Sequence, residues 1–268
     1  MKAIACVITC KGRLHHLRQT LPLIVAMGTS EVIVVDYGCP DGTGDWVEAN
    51  FPDVTVIRVH DDPDFWPARA RNIGATQATA DWLLFIDADI LVSAGWHDWM
   101  QEHVQPGNIY RRALVEGTRD AETHGTVICA RSDFAAAGGY DEVYRGWGGE
   151  DEDLYQRLIL TGLAEQEYPA GFVAAISHGD EERAGWSGLQ CMKDVVDLVA
   201  CYRLAKIDTM RALGLTGDLP LGLRTQFMEN TRRELVKWFA DKRSYPLKLT
   251  YQLDMQGQTI RIIVDLPY

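Results

Sequence analysis

Short apolar runs alternate with amphipathic segments over the first ninety residues. Four of the apolar runs have the length of a buried strand, namely residues 3–9, 31–38, 54–60 and 81–90. The segments between them have apolar residues at helical spacing, namely residues 14–28, 42–51 and the stretch that follows Pro67. Because strands that alternate with helices are typical of a mostly parallel, doubly wound α/β sheet, we predict that fold class.

The pattern becomes less regular beyond the fourth strand. Residues 125–142 predict a strand, a turn and a short helix, and residues 168–182 predict a further strand that ends at His178. From about residue 186 the spacing is helical again, and the chain closes on two alternating runs about a Gln-Gly turn, which predict a β-hairpin. We therefore expect one α/β domain over residues 1–185 and a helical subdomain with a hairpin over residues 186–268.

Composition and charge exclude some classes of function. The chain has 268 residues, of which 47% are hydrophobic, and its formal net charge is -12. Such an acidic chain is a poor match for nucleic-acid phosphates, which require basic surface. There is no apolar run of about 20 residues, the length that crosses a bilayer, and the N-terminal run predicts a strand, not a signal peptide. We expect a cytoplasmic protein without an integral membrane segment.

Acidic residues mark the end of the fourth apolar run. If residues 81–90 form one strand, alternation places Asp87 and Asp89 on the same face, where both can address one ligand. Two such carboxylates suit a hard divalent cation, although many strands simply end in acids. His178 ends a later predicted strand and is either a structural histidine or a further ligand for a manganese-like metal.

Basic residues occur near the same predicted edge of the sheet. Arg69 and Asn72 share a helical face at i and i+3, which makes either an exposed basic face or a contact to a diphosphate or nucleobase. Arg13 follows the first strand and can pair with a phosphate bidentately. In parallel sheets ligands bind at the carboxyl ends of the strands. That edge holds Thr9, Arg13, Asp36, Asp87 and Asp89.

Residues 145–158, RGWGGEDEDLYQRL, place four adjacent acids before a helical pattern. One interpretation is a solvated helix N-terminus, where the helix dipole favours acids. The other is a site in which some of the carboxylates act on a substrate. The residues alone leave both interpretations open.

Taken in order, these segments resemble a GT-A glycosyltransferase. TCKGRLHHL, a strand that ends at Asp36, ARARNIGA, FIDADI, GWGGEDED and a later strand that ends at His178 follow the order of that fold. They are similar to the β-1,4-galactosyltransferase group and to bacterial family 2-type glycosyltransferases. Asp-x-Asp is unspecific by itself, but its combination with Gly-Trp-Gly-Gly-Glu-Asp is specific. The resemblance covers residues 3–182 and implies an inverting, metal-dependent enzyme that moves a sugar from a UDP-sugar to a hydroxyl of a glycan or small molecule.

The resemblance also implies roles for individual residues. Residues 1–92 would be the nucleotide-binding half, in which Thr9, Arg13 and Asp36 hold the uridine or its diphosphate. Arg69 and Asn72 would lie near the nucleotide-sugar, and Asp87 near the ribose or donor sugar. Mn²⁺ or Mg²⁺ would be bound by Asp89 and His178. The GT-A galactosyltransferases have a methionine ligand where this chain has Ala175, and Cys10-Lys-Gly-Arg13 replaces their usual Asn-containing loop.

The acceptor-binding half would be residues 93–185. There Trp147, Gly148, Gly149 and Glu150 would shape the sugar and acceptor pocket, with glycines that let the backbone approach closely. Asp151 would be the catalytic base, because inversion requires a group that takes the proton of the attacking hydroxyl. A retaining transferase on this fold and a non-catalytic protein that binds nucleotide-sugar or glycan are the alternatives. Whether the chain forms a homodimer is left open.

Overall fold

The computed structural model describes residues 1–146, 148–177, 192–241, 248–255 and 258–265. Its strands are β1 (Ile4–Cys10), β2 (Glu31–Asp36), β3 (Thr55–Arg58), β4 (Trp82–Asp87), β5 (Ile90–Val92), β6 (Asn108–Arg112), β7 (Val127–Ala130), β8 (Ala164–Tyr168), β9 (Val173–Ala175), β10 (Lys248–Met255) and β11 (Gln258–Asp265). Its helices are α1 (Leu14–Ala26), α2 (Thr43–Asn50), α3 (Pro67–Gln77), α4 (Trp96–His103), α5 (Arg131–Ala136), α6 (Glu150–Leu160), α7 (Met192–Leu213) and α8 (Leu221–Ala240). Within these ranges, no helix is both long enough and apolar enough to cross a membrane.

Seven of the strands form one sheet in the order β3-β2-β1-β4-β7-β6-β8. The first four in this order are parallel, and β7 is antiparallel to β4 and β6. Helices α1, α2 and α4 pack on one face, and α3, α5 and α6 on the other. This arrangement confirms the predicted mostly parallel, doubly wound sheet.

Strand β1 shows why the apolar runs become central strands. Ile4, Cys6 and Ile8 pack into the core on one face of the sheet, while Ala5 and Val7 pack into the core on the other. Because both faces are covered by helices, the strand is apolar at every position from Ile4 to Ile8, and a continuous run results.

Helix α3 lies unusually close to the sheet. A Cβ at Gly74 would be 2.4 Å from Cγ1 of Val7 and 3.1 Å from Cγ2 of Val35. Glycine is therefore required at this crossing, because any side chain would push the helix away from β1 and β2.

The prediction of one strand over residues 81–90 is wrong. Strand β4 ends at Asp87, and after a turn β5 leaves the large sheet to pair antiparallel with β9. The turn is fixed by Thr20, whose hydroxyl donates to the Ala88 carbonyl at 2.8 Å. The predicted strand over residues 168–182 is likewise divided, since β8 ends at Tyr168 and β9 covers only Val173–Ala175. Its predicted end, His178, lies outside the described residues.

Helices α7 and α8 and the β10–β11 hairpin share a third core, with Tyr202, Phe227, Trp238 and Tyr251 among its buried residues. These elements match the predicted helices and hairpin, while the hairpin's Gln-Gly turn lies outside the described residues. The division into domains at residue 185 remains a prediction.

A buried group of ion pairs lies between α6 and α7. Lys206 is completely buried, and its Nζ lies 2.7 Å from Asp141, 3.0 Å from Asp153 and 2.8 Å from Asp218. Arg157 binds Asp153 at 2.7 Å, and Arg224 binds Asp141 at 2.6 Å and Asp218 at 2.8 Å. We call these six residues the Lys206 network. Three carboxylates meet three cations, so its formal charge is zero.

Candidate active site

A cavity of about 650 Å³ lies at the carboxyl ends of β1 and β4. Thr9 and Asp87 are neighbours across these two strands, and both line the cavity. Arg13 and Asp89 line it as well, and Nη1 of Arg13 donates to Oδ2 of Asp89 at 2.6 Å. Three of the predicted donor-binding residues, Thr9, Arg13 and Asp87, therefore share one cavity with the predicted metal ligand Asp89. Asp87 and Asp89 do so across a turn instead of along a strand.

The opposite side of the cavity is the N-terminus of α6, and Arg71 connects the two sides. Its Nη2 donates to Asp87 at 2.9 Å, and its Nη1 donates to Glu150 at 2.9 Å and lies 3.4 Å from Asp151. We call these four residues the Arg71 cluster. One buried cation there faces three carboxylates, so the cluster carries excess negative charge.

Burial and this excess of negative charge both act on the proton affinity of Glu150 and Asp151. Burial, followed by the neighbouring Asp151, raises the pKa of Glu150 to about 7 from 4.5. Burial likewise raises the pKa of Asp151, against the opposing effect of Arg71. Oε2 of Glu150 and Oδ1 of Asp151 are buried and have no hydrogen-bond partner among the described residues. A raised pKa and an oxygen available to accept are the properties that a general base needs.

The four adjacent acids have three different environments. Glu150 and Asp151 belong to the Arg71 cluster, and Asp153 is completely buried in the Lys206 network. Glu152 lies 3.5 Å from His124 and 3.6 Å from Arg111, and these two groups, against the effect of burial, lower its pKa to about 2. The interpretation of Asp153 as a solvated helix acid is therefore wrong, because α7 covers it.

The glycines before α6 are positioned as the sequence suggested. Gly148 and Gly149 line the cavity with φ values of 94° and 92°, in the left-handed region that favours glycine. Trp147, the predicted sugar platform, and His178, the predicted metal ligand, lie outside the described residues.

Three other predicted donor residues have structural partners and are absent from the described cavity lining. Asp36 accepts from the backbone N–H groups of Cys39 at 2.7 Å and Gly44 at 2.9 Å. Arg69 binds Asp61 at 2.7 Å. The amide of Asn72 donates to the Tyr140 carbonyl at 2.9 Å and accepts from the Tyr140 N–H at 2.8 Å, which ties α3 to the loop before α6.

Sequence reasoning missed two residues of the site. It assigned no role to Arg71, although Ala68, Gly74 and Ala75 show that this is the buried face of α3. It also missed Gly125, where a Cβ would lie 2.8 Å from Oδ2 of Asp87 and 3.0 Å from Nη2 of Arg71. No sequence signal marks Gly125, since its constraint comes from segments distant in the chain.

The carboxylates of the cavity are ligands of the type that binds a divalent cation. Asp87 and Asp89 supply the oxygen ligands that Mg²⁺ and Mn²⁺ prefer, and both line one cavity. Within the described part of the chain, no group of three or more His, Cys, Asp or Glu side chains is arranged to hold a metal. Of the His, Cys, Asp and Glu side chains in the described ranges, Asp87 and Asp89 would therefore be the two ligands, with other positions left to substrate or water.

The fold is the GT-A fold of solved glycosyltransferase structures. The catalytic domain of Drosophila β1,4-galactosyltransferase 7, solved as a mutant with manganese, UDP-Gal and xylobiose, matches this chain with a TM-score of 0.53 and 14% identity. The match covers 99% of this chain and 94% of that one. At this identity the likeness shows the fold alone.

Sequence comparisons find similarity to glycosyltransferases over two parts of the chain. A family model described as "Glycosyltransferase like family 2" matches residues 3–112, and one described as "N-terminal domain of galactosyltransferase" matches residues 118–179. These matches confirm the resemblance to both groups and agree with the expectation of a glycosyltransferase enzyme. The second match includes the glycine-rich loop and the whole of α6.

Two relatives show how far the similarity extends. The pre-mycofactocin glycosyltransferase of Mycobacterium tuberculosis is 30% identical over 205 residues, which are 64% of this chain and 42% of that protein. The β-1,4-galactosyltransferase 2 of Cricetulus griseus is 28% identical over 170 residues, which are 60% of this chain and 41% of that protein. The chain thus spans about two fifths of the length of the curated relatives it matches.

Proposed function

We propose that the protein is an inverting glycosyltransferase that uses a divalent cation and transfers a sugar from a UDP-sugar to a hydroxyl of a glycan or small-molecule acceptor. The observation that carries the proposal is the position of Asp151, a half-buried carboxylate with a raised pKa that lines the same cavity as Asp87 and Asp89. A Drosophila enzyme of the same fold has been solved with UDP-Gal and manganese, which supports the nucleotide and the metal.

In this mechanism each side of the cavity has its own task. Thr9 and Arg13 would bind the diphosphate end of the donor, since a guanidinium pairs well with phosphate oxygens. Asp89 would hold the cation together with Asp87, and the cation when bound would stabilise negative charge on the departing diphosphate. Asp151 would accept the proton of the acceptor hydroxyl as this oxygen attacks the anomeric carbon.

Arg71 and Glu150 would position the base. Arg71 holds Glu150 and Asp87 in place by hydrogen bonds of 2.9 Å each, so both sides of the reaction centre are joined through one side chain. Burial raises the pKa of Asp151, Arg71 opposes this effect and Asp87 adds to it, so these surroundings would set how readily Asp151 takes up the acceptor proton.

A panel of UDP-sugars in the presence of MnCl₂, with release of UDP as the readout, tests the proposal directly. We expect turnover with at least one donor, loss of turnover with EDTA, and its return when MnCl₂ is added back in excess. The anomeric configuration of the product, read by NMR, must be opposite to that of the donor; the same configuration would mean a retaining enzyme. Tight UDP binding without turnover across donors and acceptors would instead indicate a non-catalytic binding protein.

A further inference from the structure

One face of α7 forms a wall of the cavity. Val196, Val199, Ala200 and Arg203 all line the cavity, and their spacing of three, four and seven residues places them on one side of the helix. The wall therefore extends over two turns of α7, with three apolar side chains followed by the guanidinium of Arg203 at its C-terminal end.

This wall lies beside the acids of α6. A Cβ at Gly149 would be 2.9 Å from Cβ of Val199, so α7 packs directly against the residue that precedes Glu150 and Asp151. Arg13 and Asp89, at the donor side, come from the segments after β1 and β4. The position of α7 thus associates it with the acceptor side of the cavity.

Arg203 differs from the other arginines on that side. Arg111 and Arg119 both bind Glu165, at 3.2 Å and 2.8 Å. The Nε of Arg203 is buried and has no hydrogen-bond partner among the described residues. The charge of Arg203 is one of the effects that lower the pKa of Glu152, but the nearest cationic groups to Glu152 are Arg111 at 3.6 Å and His124 at 3.5 Å among the described residues. An arginine that lines a cavity in this way has hydrogen-bonding capacity left for a ligand.

We propose that Val196, Val199 and Arg203 form an acceptor subsite for a molecule that carries a carboxylate or phosphate next to an apolar group. The guanidinium would pair with the anion, and the valines would cover the apolar group. The assignment of this subsite to the acceptor rests on the proposed glycosyl transfer, whereas the anion subsite itself rests on the geometry of α7.

Two probes test the subsite, and they differ only in that one has a carboxylate where the other has a hydroxymethyl group. p-Nitrophenyl β-D-glucuronide and p-nitrophenyl β-D-glucoside are titrated calorimetrically into the protein with UDP and MnCl₂ present. We expect the glucuronide to bind about tenfold more tightly, in line with a charge-assisted hydrogen bond. Arg203→Gln should remove the difference, and Arg203→Lys should restore part of it. The matched control is Arg211→Gln on the same helix, where Arg211 is exposed and binds Asp208; it should leave the difference unchanged.

Equal affinities for the two probes, no binding of the glucuronide, or a preference that survives Arg203→Gln would overturn the subsite. UDP is titrated separately into the same variants, and an equal loss of UDP affinity in Arg203→Gln would place this arginine on the donor diphosphate and overturn the proposal too. Failure of the proposed function looks different: no UDP-sugar is turned over, while the preference for the glucuronide persists and still depends on Arg203.

Discussion

Helix α6 contributes acids to two charged clusters. The two clusters differ in the ratio of cations to carboxylates and in whether they border the cavity. The Lys206 network has three cations for three carboxylates and is sealed between α6 and α7. The Arg71 cluster has one cation for three carboxylates and borders the cavity. Removing one partner from balanced, enclosed charges leaves the others uncompensated and destabilises the fold, whereas an excess of acid beside a cavity keeps a carboxylate basic. The comparison assigns stability to one cluster and chemistry to the other.

The largest expected effect is on catalysis, at Asp151. Replacing Asp151 by Asn should lower kcat by roughly 10²–10⁴-fold, the usual contribution of a general base, because the amide cannot take up the acceptor proton. The melting temperature should stay the same or rise, since a poorly compensated buried charge is removed. Asp153→Asn, two positions along the same helix, should mainly lower the melting temperature. Full activity of Asp151→Asn would remove this residue from its proposed role.

The next effect is on stability, at Lys206. Lys206→Met leaves three buried carboxylates with two arginines, and breaking a buried ion pair costs about 3–5 kcal/mol. Denaturant unfolding measures the loss. The control is Lys237→Met, which breaks the exposed pair with Glu234 and should cost at most about 1 kcal/mol. Similar losses for the two variants would contradict the structural role of the network.

A smaller effect is expected at Gly125, which borders the Arg71 cluster. In Gly125→Ala the new methyl group would contact Asp87 and Arg71 at 3.0 Å or less, and the displaced groups should lower kcat/KM by roughly 10–100-fold. Gly222→Ala is the control, because a Cβ there meets nothing within 4 Å. Initial rates of UDP release compare the two variants. Wild-type rates for Gly125→Ala would mean that the cluster tolerates displacement.

A further effect is on the pH dependence of stability, where Glu150 of the Arg71 cluster and Asp141 of the Lys206 network should respond in opposite ways. The pKa of Glu150 is raised from 4.5 to about 7, so its ionisation destabilises the folded state progressively between these pH values. Glu150→Gln should therefore gain stability relative to wild type as pH rises from 4.5 to 7, with no further gain above that. Unfolding free energies across this range measure the difference, and a constant difference would refute the raised pKa.

Asp141 in the Lys206 network shows the reverse behaviour. Burial alone would raise its pKa, but Lys206 and Arg224 lower it to about 2 from 3.8. Its contribution to stability is therefore complete above pH 3.8 and is lost as pH falls towards 2.

The sequence predicted the parts of the fold that bury continuous apolar runs. Strands β1 to β3 and helices α1 to α3 were correctly placed, because central strands and their covering helices have clear periodicity. The apolar part of β4 was found as well, but its end at Asp87 was not. Strands β6 (NIYRR) and β8 (AEQEY) were missed. They are rich in charged and polar residues and are held partly by the cross-strand pair Arg111–Glu165, which no local pattern reveals.

The site residues, like the strands, were predicted where a local motif marks them and missed where only tertiary packing does. Asp87, Asp89, Glu150 and Asp151 were recognisable from their motifs, and the structure brings all four to one cavity. Arg71 was overlooked because only Arg69 and Asn72, which share another face of the same helix, were considered as ligand-binding residues. Lys206 and Arg203 act on α6 from about fifty residues away, and only the packing of α7 shows this.

The glycine at the crossing of α3 and β1 links the core to the reaction centre. Gly74 lies one helical turn after Arg71, so the interlayer distance that it permits also fixes how far the guanidinium reaches towards Asp87 and Glu150. A methyl group added at Gly74 would lift the helix and withdraw the guanidinium without altering any polar atom. The geometry of the proposed reaction centre is thus partly set by the distance between helix and sheet, and we expect substitutions in the apolar core to alter the proposed activity.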